Sequence, residues 1–378
     1  MKTDIAILGG GLAGLTAAII ANRMGHSVVL VEKKQYPFHK VCGEYISLEA
    51  ENLLRWLGLP IEEWRLPVLD QFRITHSQAR DFSSKLPLGG IGISRFKLDE
   101  FLKDLAEKEG VKVLQNTRVE SINREDDLYL VQTNAHENGP IESKLVFGAF
   151  GRNKPHFALS EKEEETKTKG FIGVKMHVLA DLPKDRIELH HFPGGYCGIS
   201  AIENGSYCLC YLIDANSVKN LKGDFQKVED QILSINPELK RYLTTFEKIT
   251  QRVSTAGVFF TPRPLSQNGM LFLGDSAGMI PPLAGNGMSM ALHSAVLATE
   301  SAHQFFSGKL KYEELSTTYE NAWNQQFASR LKTARMLQNL MQTSLATRLS
   351  MNLFSFSPSI FRFAARQTHG IQIPIPQC

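Results

Sequence analysis

Gly9, Gly11 and Gly14 stand at the spacing G-x-G-x-x-G, and Glu32 follows 18 residues beyond the last of them. Such a set suits the diphosphate and ribose of a dinucleotide. The first glycine permits a tight turn, the second lets backbone approach a pyrophosphate, and the third allows close helix packing. An acid at the end of the next strand accepts hydrogen bonds from a ribose diol. The flanks agree: Asp4 to Leu8 is a short apolar run, Leu12 to Met24 has helical spacing, and Ser27 to Val31 is a second apolar run. A helix starting there aims free N–H groups and partial positive charge at the phosphates. The alternative is a glycine-rich turn without a ligand, and the strand, the helix and the spaced acid together argue against it.

A second segment lies some 260 residues further on. The apolar stretch Gly269 to Leu273 ends in Gly274-Asp275, and Pro281, Pro282, Gly285, Asn286 and Gly287 lead into a predicted helix reaching Gln304. The alternative for Asp275 is the N-cap of its own helix. With the first motif, however, the segment resembles the flavoprotein superfamily of para-hydroxybenzoate hydroxylase and geranylgeranyl reductase. That resemblance implies FAD as the cofactor, with Asp275 bonding the ribityl chain. It also implies that Gly285, Asn286, Gly287 and Met288 bring a helix N-terminus to the flavin pyrimidine edge, where amide N–H groups stabilise developing negative charge.

The resemblance covers nearly the whole chain in the right order. Arg95-Phe-Lys-Leu98-Asp-Glu-Phe-Leu102 is similar to the family's Arg-x-x-Leu-x-x-x-Leu segment, which implies that Arg95 lies over the flavin nucleotide; the alternative is a surface salt bridge. Val119 occupies the strand position whose backbone meets adenine in relatives, or is plain strand core. Lys40-Val-Cys42-Gly-Glu resembles the basic-x-Cys-Gly segment near the isoalloxazine, which implies a catalytic Cys42 and a cofactor-binding Lys40; the alternative is a buried, inert cysteine.

Three departures narrow the chemistry. Hydroxylases of the superfamily carry an Ala-Asp-Gly motif that helps bind FAD and NADPH, whereas Gly148 to Arg152 holds Phe150 in place of the acid. An external donor such as flavodoxin, ferredoxin or an electron-transfer flavoprotein is therefore expected rather than NADPH alone. Geranylgeranyl reductases carry Tyr-x-Trp-x-Phe-Pro, but only the tyrosine remains here, at Tyr196, which argues against a long isoprenoid substrate. Trp56, Trp64 and Trp323 do not provide the Trp-x-Trp-x-Ile-Pro motif of tryptophan halogenases.

These residues need elements to hold them. Phe72 to Thr75, Gly92 to Ser94, Val111 to Leu114, Arg118 to Ile122 and Tyr129 to Thr133 read as strands, and Leu98 to Lys108 as a helix. The charged run Glu161 to Lys169 reads as a solvated boundary loop. Beyond it come strands Phe171 to Val178, Ile187 to Phe192, Tyr196 to Ile202 and Tyr207 to Ile213. Asn204-Gly205 between the last two marks a hairpin needing positive φ at both residues. Tyr312 to Ser350 reads as mostly helix, and the prolines beyond it suit a tail along the surface. His190 and His191 are adjacent on a strand, point to opposite faces and cannot share a metal, and no metal site is expected.

Composition sets the outer limits. With 378 residues, 43% hydrophobic and 21% charged, the chain is an ordinary globular protein of two or three units. Five cysteines without a C-x-x-C pair argue for a reducing cytoplasm and against structural zinc. A net charge of +3 gives no reason to expect nucleic acid. The charge is unevenly placed: from Asn321 to Cys378 there is no acid and there are six cations, leaving −3 on the first 320 residues. That tail suggests peripheral contact with the inner membrane surface, or packing with its charges facing water.

The reading is an α/β protein. Residues 1–70, 95–160 and 257–305 form a discontinuous Rossmann-type FAD-binding domain, 71–94 and 161–256 an antiparallel-sheet substrate domain, and 306–378 a helical carboxyl-terminal region. The substrate is expected between the flavin and the sheet face bearing Tyr196, Gly198, Cys208 and Cys210. The activity implied by the resemblance is a FAD-dependent oxidoreductase, geranylgeranyl-reductase-like, moving hydride between flavin N5 and an apolar or aromatic small molecule. The alternatives are an aromatic monooxygenase and a flavin-binding protein without turnover.

Overall fold

The computed structural model describes all residues except 137–138, 154, 159–169, 342 and 378, so the charged run Glu161 to Lys169 lies outside the described residues. It is a mixed α/β structure with two sheets and a helical carboxyl-terminal region. In the first sheet five strands run parallel in the order Met270–Phe272, Ile141–Gly148, Lys2–Leu8, Val28–Val31 and Lys112–Leu114. Helices Leu12–Arg23, Arg95–Lys108 and Gly287–Phe306 pack on it and on one another. Strands covered on both faces read as unbroken apolar runs, which is why Ile5 to Leu8 and Val28 to Val31 are all buried. The hairpin of Val119–Glu125 and Leu128–Thr133 joins this sheet beside Ile141–Gly148.

The second sheet places Phe171–Leu179, Tyr207–Asp214, Gly195–Ala201, Arg186–Phe192, Val68–His76, Ala79–Gly92 and Tyr45–Ser47 side by side. These pairs are antiparallel except Arg186–Phe192 with Val68–His76. The turn at Asn204-Gly205 has φ of 60° and 72°, the positive pair that the two residue types allow. One face of the sheet packs on the short helices Ala215–Asn220, Phe225–Gln231 and Pro237–Thr245. The other face meets the carboxyl-terminal helices Tyr312–Met341, Ser344–Phe356 and Pro358–Gln367. Pro358 opens that last helix in its first turn, where a missing N–H costs nothing, and the expected helical carboxyl-terminal region runs on to Gln367. Among the described residues no helix is long and apolar enough to cross a membrane.

One buried carboxylate clamps the two sheets together. Glu44 holds φ of +57°, and its Oε1 accepts from the Arg95 backbone N–H at 2.7 Å, the first residue of a helix on the first sheet. The same carboxylate pairs with Lys175 Nζ, and its Oε2 meets His177 Nε2 at 2.6 Å, both from the Phe171–Leu179 strand of the second sheet. Neither Glu44 nor Lys175 has any exposed surface. Burial would raise the Glu44 carboxyl, but the His177 hydrogen bond and the Lys175 charge outweigh it and hold the group below its ordinary value.

Removing one partner of a buried pair strands the other charge. Glu44→Gln is therefore expected to lower stability by about 3–5 kcal/mol, seen as an earlier denaturant midpoint at neutral pH. A carboxyl depressed on folding contributes stability above its unfolded value and loses it as pH falls through the folded one. The gap between wild type and variant should consequently narrow towards acid. Equal midpoints at pH 7 would remove the clamp from the account.

Candidate functional site

The glycine turn shows what each glycine is for. At Gly9, with φ of +115°, a Cβ would lie 2.3 Å from the Ala149 carbonyl oxygen, and at Gly14 one would lie 2.0 Å from the Gly9 carbonyl oxygen. Both close approaches need the missing side chain. Gly11 is different: a Cβ there would meet nothing nearer than Lys40 Nζ at 3.7 Å and an Arg95 guanidinium nitrogen at 3.8 Å. The helix N-terminus thus opens towards two cations. Glu32 is buried and braces the turn, with Oε2 accepting from Gly10 N at 2.8 Å and Oε1 from Lys34 N at 3.0 Å. The Tyr36 hydroxyl donates to the Gly10 carbonyl and closes the turn from the other side.

Lys40 and Arg95 are held by a carboxylate that the sequence reading passed over. Arg95 donates through Nε and a terminal nitrogen to the two oxygens of Asp99, each at 2.8 Å, while Lys40 Nζ reaches Asp99 Oδ2 at 3.0 Å. Burial would raise Asp99, and the two cations overcome this and keep it below its ordinary value. The signal was present as Arg95 and Asp99 four apart on a predicted helix, an ion-pair spacing. The Arg95 pair is therefore internal to the cleft and not a surface bridge.

Asp275 lies in the helical turn Gly274–Ser276 and caps no helix, so its N-cap reading fails. Burial raises its carboxyl against the opposing pull of Arg263, Arg95 and Arg152, and Arg263 also donates to its backbone oxygen at 3.1 Å. Four cations, Lys40, Arg95, Arg152 and Arg263, stand against three carboxylates, Asp99, Asp275 and Glu32, so the cleft keeps a net positive charge of the sign that suits a diphosphate. Asn286 precedes the Gly287–Phe306 helix, its side chain makes no capping bond, and both its amide atoms are buried without a partner. Gly285, with φ of +63°, lies against the Tyr45 ring.

The second sheet supplies the opposite wall. In register, Gly198 faces Cys210, Ser200 faces Cys208, and Lys175 faces Cys210, so Tyr196, Gly198, Cys208 and Cys210 share one face. They are not equally available. The buried Tyr196 hydroxyl accepts from Leu283 N at 3.0 Å and lies 3.2 Å from Gln338 Oε1, and the buried Cys208 thiol donates to the Cys42 carbonyl at 3.3 Å. Gly198 and Cys210 are half-buried. Cys42 is half-buried with Arg95 and Lys175 among its charged neighbours, and burial pushes its thiol up, as it does that of Cys210. Val119 begins its strand two residues after Thr117, whose N–H donates to the Glu32 carbonyl.

Glu44, Lys175 and His177 behind these cysteines carry no local sequence signal, because they join segments more than 130 residues apart. The ligand atoms of Glu44, His177 and Cys208 lie within 4.8 Å of one another. Lys175 already pairs with the Glu44 carboxylate, and burial raises the Cys208 thiol. Phe150 packs edge-on against Phe157 at 5.9 Å.

Comparison with known proteins gives this cleft its family. The chain belongs to the FAD-binding domain family, whose model matches residues 2–326. It binds FAD, and the open turn at Gly11, the net positive cleft and the unpartnered Asn286 fit that cofactor. Conditioned medium factor receptor 1 of Dictyostelium discoideum is 23% identical over 359 residues, covering 86% of this chain and 68% of the relative. Digeranylgeranylglycerophospholipid reductase 3 of Methanosphaera stadtmanae is 24% identical over 368 residues, covering 91% and 88%. Among solved structures, the flavin-dependent brominase Bmp2 superposes with a TM-score of 0.77 at 19% identity, covering 99% of this chain and 95% of that one. A reductase and a halogenase thus resemble the chain at similar distance, and the family makes it a FAD-dependent oxidoreductase without fixing the reaction.

Proposed function

We propose that this member of the FAD-binding family transfers hydride between flavin N5 and an apolar or aromatic small molecule, reducing or forming a carbon–carbon double bond. The observation carrying this reading is Phe150, an apolar, packed side chain where hydroxylases of the superfamily place an acid. The missing Trp-x-Trp-x-Ile-Pro motif argues against halogenation. FAD supplies the two-electron chemistry when bound. The chain supplies the rest. Lys40 and Arg95, kept ordered by Asp99, would hold the diphosphate of the cofactor, and Glu32 would accept from its ribose diol with the lone pairs that the turn leaves free. Backbone at Val119 borders the adenine. Asp275 would accept from the ribityl hydroxyls, and amides at Gly287 and Met288 would favour negative charge on the pyrimidine edge.

The substrate lies against Gly198 and Cys210, with Cys42 beside the reacting carbon. Burial raises the Cys42 thiol, which makes it a weak acid and a poor nucleophile, so its part is to steer the substrate by packing against it. Such a substrate partitions into lipid, so the basic carboxyl-terminal region is the part of the chain that meets a membrane surface. Reducing equivalents come from a flavodoxin-, ferredoxin- or electron-transfer-flavoprotein-like donor.

Three measurements test the reading. Purified protein should be yellow, and Asp275→Ala should weaken FAD retention by roughly 10- to 100-fold, the worth of a charge-assisted hydrogen bond; colourless protein that takes up no FAD on titration defeats the proposal. Anaerobic stopped-flow mixing with NADPH alone should bleach the flavin slowly or not at all, and rapid bleaching would refute the need for another donor. Protein carrying reduced flavin, incubated with candidate alkenes and aromatics with and without oxygen, should add two hydrogens to its substrate. A gain of one oxygen atom would mark an aromatic monooxygenase instead, and Cys42→Ser with unchanged product distribution would remove Cys42 from the mechanism.

A further inference from the structure

The Ser344–Phe356 helix has two apolar faces where packing uses one. Thr347, Met351 and Phe354 point inward; Met351 is buried, and Phe354 lies against Phe82 and Phe361 with ring centroids 5.8 and 5.7 Å apart. On the opposite side Leu345, Leu349, Leu353 and Phe356 follow one another at intervals of four, four and three, which makes a single stripe. Their exposures are 58%, 57%, 48% and 90%. Met336 and Leu340 on the preceding helix, and Ile360 and Phe363 on the following one, are also exposed. Large apolar surface of this extent marks an interaction site on a folded protein.

Charge says what the site meets. Of the six cations after Asn321, Arg330 is buried against Glu49 at 3.4 Å and Arg335 buries its Nε, whereas Arg348 on the striped helix, Lys332 on the preceding one and Arg362 and Arg366 on the following one remain, with no acid in the same stretch of chain. A two-fold contact with a second copy would set this positive face against itself. We infer that the outward stripe of Ser344–Phe356, flanked by these cations, is a docking surface for an anionic lipid bilayer, with the helix lying in the plane of the headgroups. The function it serves rests on the proposed apolar substrate, whereas the docking itself does not. Beneath the stripe, Met341 and Met351 share one apolar cluster with Tyr196 and Leu283, so the surface backs directly onto the substrate wall.

Vesicle flotation of the full chain with its flavin tests this. The protein should float with phosphatidylcholine vesicles containing phosphatidylglycerol at low salt, release as salt rises, and stay behind with phosphatidylcholine alone. Leu349→Ser combined with Phe356→Ser, both exposed, should cut floating protein at least about tenfold while flavin content and helical circular dichroism stay unchanged. Arg348→Gln with Arg362→Gln should weaken flotation on anionic vesicles and flatten its salt dependence. Absence of flotation at low salt overturns the inference, as does a dimer in sedimentation that Phe356→Ser dissociates, because a second copy would then cover the stripe. Flotation without turnover of any apolar substrate keeps the docking surface and sinks the substrate reading, so the two failures are distinguishable.

Discussion

A carboxylate with no exposed surface is tolerable only if every oxygen is answered, and Glu44 meets that condition with donors from both halves of the molecule. The Arg95 amide comes from a helix of the parallel sheet, and Lys175 and His177 come from neighbouring positions on a strand of the other sheet. Serving them all fixes where the segment Lys40 to Glu44 can run. Cys42 stands two residues before the clamp and Lys40 four residues before it, so the placement of both follows from one buried charge. Glu203 repeats the device nearby, accepting from Ser94 N at 2.8 Å at the start of the same helix. Both acids sit at the positive end of that helix, where its dipole favours them.

The second constraint is charge balance across the cleft. Asp99 neutralises one of the two cations it holds, and Asp275 stands among three arginines, Arg263, Arg95 and Arg152. Such a collection repels itself unless an anion enters. A diphosphate entering such a cleft would meet cations in excess of carboxylates, so its binding would relieve repulsion as well as make contacts. The same balance explains why Arg95 is charged inside the protein: Asp99 compensates it before any ligand does.

How much of this could be read from the residues depended on whether the pattern was local. The glycine spacing, the buried strands beside it and the Asn204-Gly205 turn are local, and the structure has them. The Ile141–Gly148 strand was not read because its first half carries Glu142, Ser143 and Lys144, which pair at the sheet's open end with Lys2 and Asp4. Ala215–Asn220, Phe225–Gln231 and Pro237–Thr245 were missed because helices of six to nine residues show little periodicity, although Asp214, Asp224 and Asn236 each announce one by capping it. Asp99 was legible as a helical pair. Glu44 with Lys175 and His177 was not, since no spacing in one segment says that a lysine from another will be buried beside it. Lys40, Arg95 and Asp275 came from resemblance, and the geometry adds the common electrostatic reason for them.

The carboxyl-terminal region ties these constraints to the surface. Arg330 reaches Glu49 inside the protein, Gly370 N donates to the same carboxylate, and Ile373 N donates to the Glu49 carbonyl at 2.8 Å. The second half of the Tyr312–Met341 helix and the segment after Pro358–Gln367 are therefore anchored near the Tyr45–Ser47 strand, next to the clamp. Between those anchors the helices span the second sheet: His76 Nε2 lies 3.0 Å from Ser344 Oγ, and Phe361 stacks on Phe72 at 5.0 Å. A layer fixed at its ends and one helix thick must cover the apolar sheet with its inner stripe. Leu345, Leu349, Leu353 and Phe356 are then left outward, with Met336, Leu340, Ile360 and Phe363 on the flanking helices, so their apolar character is not required by the fold and needs a cause outside it.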